Sequence, residues 1–81
     1  MNVIVKYSGY FYSLTGKERE TVEMEDRGTL GRLLETLNGQ YGELPPLNEG
    51  LIYLVNRKIV KKEQVLAEGD EVQIFQMMAG G

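Results

Sequence analysis

The chain has 81 residues, of which 42% are hydrophobic and 26% charged, and it carries a formal net charge of -3 at pH 7. That length supports one compact domain with a net stability on the order of 4 to 12 kcal/mol, and the composition is too apolar for a chain that stays disordered. Cysteine, histidine and tryptophan are all absent. Disulfides, thiolate nucleophiles, zinc sites of the Cys/His kind and imidazole acid-base catalysis are thereby excluded, and the acidic balance argues against nucleic acid as a partner.

Residues 2–8 alternate, with Val3, Val5 and Tyr7 on one face and Ile4 and Lys6 on the other, which predicts a strand. The aromatic trio Tyr10, Phe11 and Tyr12 lies between Gly9 and Gly16, and alternation resumes over residues 17–25 with Val22 and Met24 inward, so an antiparallel hairpin with a broad connection is expected. Thr29 is placed to cap a helix whose apolar residues Leu30, Leu33, Leu34, Leu37 and Tyr41 recur at helical spacing before Gly42. Residues 43–50 hold Pro45 and Pro46 and read as a surface loop.

Leu51–Val55 is a short apolar run that predicts a strand buried on much of both faces. Asn56, Arg57 and Lys58 supply turn chemistry before Ile59 and Val60, giving a second hairpin. A turn at Glu68-Gly69-Asp70 leads into a last strand over residues 71–77, with Val72 and Ile74 on one face and Gln73, Phe75 and Met77 on the other. No apolar run approaches the roughly 18 residues of a membrane span, and residues 1–8 lack the basic start and apolar stretch of a signal peptide. The expected setting is the cytoplasm, with no membrane partner.

The resulting order, β-β-α-β-(β)-β, contains one amphipathic helix whose apolar stripe needs a sheet to cover it. If the first and last strands are neighbours they run parallel, and the intervening elements supply the long crossover. The expected architecture is an α+β β-grasp fold, a mixed sheet of four to five strands on one main helix, over residues 1–77, with a flexible Gly-Gly tail at 78–81.

With no catalytic side-chain set in view, the candidate reactive group is the terminal carboxylate of Gly81. Glycine lacks a Cβ, so Gly80 and Gly81, preceded by Ala79, suit threading through a narrow channel of another protein. A free carboxylate is a poor electrophile, but attack on ATP gives an acyl-adenylate whose AMP can be displaced by an amine or a sulfur nucleophile.

The segment GKERETVEM, the helix ending at Tyr41-Gly42, VNRKIV and LAEGDEVQIFQMMAGG together resemble the ubiquitin-like sulfur carriers of the MoaD/ThiS family, over essentially the whole chain. The longer connection at residues 8–16 is more similar to the MoaD branch. Two departures from the family pattern stand out: Gln76, Met77 and Met78 stand where prolines and a β-branched residue are common, and Tyr12 stands where many members carry arginine.

The resemblance implies that an E1-like adenylating enzyme of the MoeB/ThiF type, consuming ATP, activates Gly81, and that a sulfur donor system converts it to a thiocarboxylate. A MoaE-like large subunit of molybdopterin synthase would then receive the tail. This chain would carry sulfur without an active site, bound cofactor or metal of its own. Alternatives are a thiamine-pathway carrier, a protein modifier joined to lysine through Gly81, and a β-grasp interaction module with an inert tail.

Ile59, Phe75, Met77 and Met78 are the expected partner-docking residues, an apolar patch near the tail in which methionine suits more than one partner. Tyr7, Tyr10, Phe11 and Tyr12 are read as core and sheet-edge packing. Glu18, Glu20, Glu23, Glu25 and Asp26 are read as a solvated outer face, and Gly28 and Gly31 as turn and packing glycines.

Overall fold

The computed structural model describes residues 1–42 and 51–76. The proline loop and Met77 with the tail expected at 78–81 lie outside the described residues. Five strands and two helices follow in the order β1 (Asn2–Tyr7), α1 (Tyr10–Thr15), β2 (Arg19–Glu23), α2 (Leu30–Tyr41), β3 (Leu51–Val55), β4 (Lys58–Val60) and β5 (Glu71–Gln76). The strands form one mixed sheet in the order β2-β1-β5-β3-β4, with β1 and β5 parallel and the other pairs antiparallel. This is the expected β-grasp arrangement.

Alternation along the strands decides which residues meet the helix. Val3, Val5 and Tyr7 of β1, Val72 and Ile74 of β5, and Tyr53 and Val55 of β3 are buried together with Leu30, Leu33, Leu34 and Leu37 of α2. Thr29 caps α2 as expected, its Oγ1 accepting a hydrogen bond from the Arg32 N–H at 3.3 Å, and Gly42 closes it with φ of 82°. At Gly28 a Cβ would come within 2.8 Å of the Met24 methyl carbon, the movable end of a flexible side chain, and 3.1 Å of the Glu25 carbonyl oxygen, so the chain packs closely there; at Gly31 the nearest neighbour, the Lys62 carbonyl, is at an ordinary 3.5 Å.

Three expectations are corrected. The connection between β1 and β2 contains the six-residue helix α1, anchored by the buried Phe11, while Tyr10 and Tyr12 are exposed and not packed into the core. β3 is covered unequally: Tyr53 and Val55 are fully buried against the helix, while Ile52 and Leu54 on the opposite side of the sheet are only partly buried. Glu20 is not part of a solvated face. It shares the inward side of β2 with Val22, and its side chain is 11% exposed.

Glu20 survives there because its charge is fully engaged. Its Oε2 accepts hydrogen bonds from the hydroxyls of Tyr7, at 2.6 Å, and Tyr41, and its Oε1 lies 3.4 Å from Lys17 Nζ. Lys17 also stands 5.8 Å from the centroid of the Tyr41 ring, which packs edge-on against Tyr7. The cluster ties the last turn of α2 to the edge of the sheet.

Burial alone would raise the Glu20 pKa, but the two phenol donors and Lys17 outweigh it and hold the carboxyl below its ordinary value. Burial, with the Glu20 charge behind it, raises the Tyr7 phenol.

Because the Glu20 pKa is lower folded than unfolded, its stabilisation is full above the ordinary value of 4.5 and is lost as pH falls through the lower folded value. In urea titrations across that range, Glu20→Gln should flatten the acid loss of stability. Tyr41→Phe, which removes one donor from an ionised acceptor, should cost about 1 to 2 kcal/mol at neutral pH.

Candidate functional site

The side of the sheet away from α2 is built from the alternate residues. The registers set Ile52 opposite Phe75 and Leu54 opposite both Gln73 and Ile59, so one half of this outer face is an apolar patch spanning β5, β3 and β4. Ile59 is 75% exposed and Phe75 37% exposed, which places both expected docking residues on the same surface. Met77, Met78, Ala79, Gly80 and Gly81 lie outside the described residues.

Sequence reasoning missed Ile52 and Leu54. The signal was present: once Tyr53 and Val55 face the core, period-2 geometry sends residues 52 and 54 outward.

The parallel register Tyr7↔Ile74 brings the end of β5 beside the end of β1. The chain therefore leaves the sheet next to an open cleft of about 560 Å³ lined by Lys6, Tyr12, Arg19, Gln73 and Phe75, among others. Lys6, one of the lining residues, has its Nζ 3.0 Å from Glu71 Oε1, and that contact holds the Glu71 carboxyl below its usual range. Tyr12, the position that departs from the family pattern, forms part of the cleft wall.

The turn before β5 fixes where that strand starts. Asp70 accepts hydrogen bonds from the Ala67 N–H at 2.8 Å and from Asn56 Nδ2 at 2.9 Å, while Asn56 Oδ1 accepts from the Glu71 N–H at 3.0 Å. Gly69, with φ of 82°, lets the chain reverse, and its N–H donates to the Asn2 carbonyl. The β3–β4 hairpin and the start of β1 are thus joined to the start of β5.

Among the described residues no group of three or more Asp or Glu side chains is gathered to hold a metal ion, and no helix is long and apolar enough to cross a membrane. The outer face has an apolar centre at Ile52, Leu54, Ile59 and Phe75 with charged residues around it.

A family model described as the ThiS family matches residues 5–81. The chain belongs to the ThiS family. It is a ubiquitin-like protein of the ThiS/MoaD sulfur-carrier group, and no curated protein matches it in sequence.

Among solved structures, the small archaeal modifier protein 1 of Haloferax volcanii is 20% identical with a TM-score of 0.83, covering 95% of this chain and 98% of that one. A chain in the complex of subunits 1 and 2 of molybdopterin-converting factor from Helicobacter pylori is 17% identical, TM-score 0.67, with complete coverage of both chains. The Amycolatopsis orientalis BexX/CysO complex contains a chain 20% identical, TM-score 0.72, covering 98% of this chain and 99% of that one. At these identities the likeness is one of fold, and two of the three structures are complexes with a second protein.

If the apolar patch is surface and not core, its residues are dispensable for folding. Ile59→Thr should leave the unfolding free energy within about 0.5 kcal/mol of the parent. Ile74→Thr, two strands away in β5 and 1% exposed, should lose at least about 2 kcal/mol in the same urea titration, because its hydroxyl is buried without a partner.

Proposed function

We propose that this ThiS-family chain carries sulfur on the carboxyl carbon of Gly81 and delivers it in molybdopterin biosynthesis, as the small subunit of a molybdopterin synthase. The observation that carries this reading is that the family match runs through Gly80 and Gly81, so the pair belongs to the matched segment. The apolar outer face beside the end of β5 supports it, because a carrier must be held by one protein while loaded and by another while unloaded.

The chemistry follows from the carboxylate. Its oxygen attacks the α-phosphorus of ATP on an E1-like enzyme, releasing pyrophosphate and forming an acyl-adenylate. A sulfur nucleophile from a donor system then attacks the acyl carbon and AMP leaves. Ala79, Gly80 and Gly81 offer no bulk beyond a methyl to obstruct the approach, and Ile59, Phe75, Met77 and Met78 dock the domain on the activating enzyme and on a MoaE-like large subunit. This chain supplies the carrier and its partners supply the catalytic groups.

A second reading is favoured by the match being to the ThiS family: the same thiocarboxylate would serve a thiamine-pathway acceptor. The two differ only in which acceptor consumes the sulfur.

Incubation with ATP, an E1-like enzyme from the same genome and a sulfide source should raise the intact mass by the difference between sulfur and oxygen. The variant lacking Gly80 and Gly81 should show no gain. An unchanged mass for the full chain under conditions that release pyrophosphate would count against sulfur transfer and leave conjugation to lysine, recognisable by a Gly-Gly remnant on target proteins. Offering the loaded chain to a molybdopterin synthase large subunit and to a thiamine-pathway acceptor separates the two sulfur readings by which one regenerates the carboxylate.

A further inference from the structure

The cleft beside the end of β1 contains a cation whose donors meet no acceptor. The registers Lys6↔Arg19 and Lys6↔Gln73 set Arg19, Lys6 and Gln73 in one row across β2, β1 and β5, on the side of the sheet away from α2, and all three line the cleft. Lys6 is engaged, its Nζ lying 3.0 Å from Glu71 Oε1. Arg19 is exposed and, among the described residues, makes no hydrogen bond or ion pair; its charge reaches Glu71 only at longer range, as does that of Arg57. Glu18, the acidic residue of the lining, lies beyond ion-pair distance of Arg19.

Lys6 and Arg19 are thus balanced in number by Glu71 and Glu18, and net charge is not what draws an anion here. The draw is the guanidinium itself, a planar fork of N–H donors that matches a carboxylate and has none. Tyr12 and Phe75, both exposed, add aromatic surface to the same cleft.

The chain supplies one carboxylate within reach. β5 ends at Gln76, and the residues that follow, Met77, Met78, Ala79, Gly80 and Gly81, contain no charged side chain, so the α-carboxylate of Gly81 is the single charge of that segment. From Gln76, Arg19 lies two strands across and three positions back, roughly 14 Å by strand spacing and rise. Five extended residues span at most about 17 Å. A path across Phe75 and Tyr12 also offers aromatic contacts to two methionine sulfurs. A group tethered by so short a segment has an effective concentration in the millimolar range, enough to populate a contact as weak as an exposed ion pair.

Resting on the carrier reading above, in which Gly81 ends the chain, we infer that residues 77–81 fold back across this cleft and that the Gly81 carboxylate rests on the Arg19 guanidinium until a partner displaces it. The occupant of the cleft is the chain's own tail. The contact withholds the carboxylate that is to be activated, and the activating enzyme must release it before attack on ATP.

The test follows the Gly80 and Gly81 amides of the full chain, labelled with nitrogen-15, by NMR at pH 7. Their heteronuclear NOE should be positive in the parent and fall to zero or below both in Arg19→Gln and in the parent at 1 M salt, where exposed ion pairs are screened over about 3 Å. Arg19→Gln should unfold at the parent's urea midpoint, because Arg19 is exposed and unpaired, so a lost NOE reports the contact and not the fold. With the E1-like enzyme from the same genome, at limiting concentrations of chain, Arg19→Gln should release pyrophosphate about two- to threefold faster, since no docked tail has to be freed.

Equal NOE values for the parent, Arg19→Gln and the parent at high salt would overturn the inference. Values that rise with protein concentration would also overturn it, by assigning the contact to a second copy. Slower pyrophosphate release by Arg19→Gln would overturn the withholding role and make the arginine a contact of the enzyme. If the tail responds to Arg19→Gln while the parent is never adenylated, the carrier reading falls and the contact stands.

Discussion

Everything on the outer face of this sheet is placed by the parallel pairing of β1 with β5. Two strands separated by most of the chain lie side by side at the centre, with registers from Ile4↔Glu71 to Tyr7↔Ile74. Parallel neighbours require a long crossover, and α2 with its four buried leucines supplies the cover that such a crossover brings to one face. The opposite face is left open. That asymmetry produces both a core and an uncovered apolar patch from only 81 residues.

The pairing also fixes direction. Because β5 runs alongside β1, it ends beside Tyr7, next to the cleft of Lys6, Arg19, Tyr12 and Phe75. The hydrogen bonds of Asn56 and Asp70 at the start of β5 connect that strand to the β3–β4 hairpin. The patch and the point where the chain leaves the sheet are thus parts of one rigid frame, as a domain that presents a segment to partners requires.

Much of this frame is legible in the residues themselves. The alternation of Val3, Val5 and Tyr7, the helical spacing of the α2 leucines and the Gly69-Asp70 turn each admit one local structure, and their order suffices for the β-grasp arrangement. Helix α1 is illegible because six residues hold too little periodicity, and one buried phenylalanine decides its place. Glu20 is misread for a different reason. A charge in an acidic run belongs in water by local rules, and only the tertiary approach of Tyr7, Tyr41 and Lys17 gives it partners. Alternation also sends Phe75, Ile52 and Leu54 to the outer face, but that they and Ile59 form one patch follows only from the register of three strands.

The brevity of β4 bears on how such a face survives at high concentration. An exposed edge with apolar residues beside it invites another chain to add a strand, the first step toward a fibre. Here the edge offers three residues, preceded by a tight turn and surrounded by like charges, so two copies meeting at that edge repel each other before a ladder can form. The same lysines that crowd the hairpin work against strand addition at the open edge of the sheet.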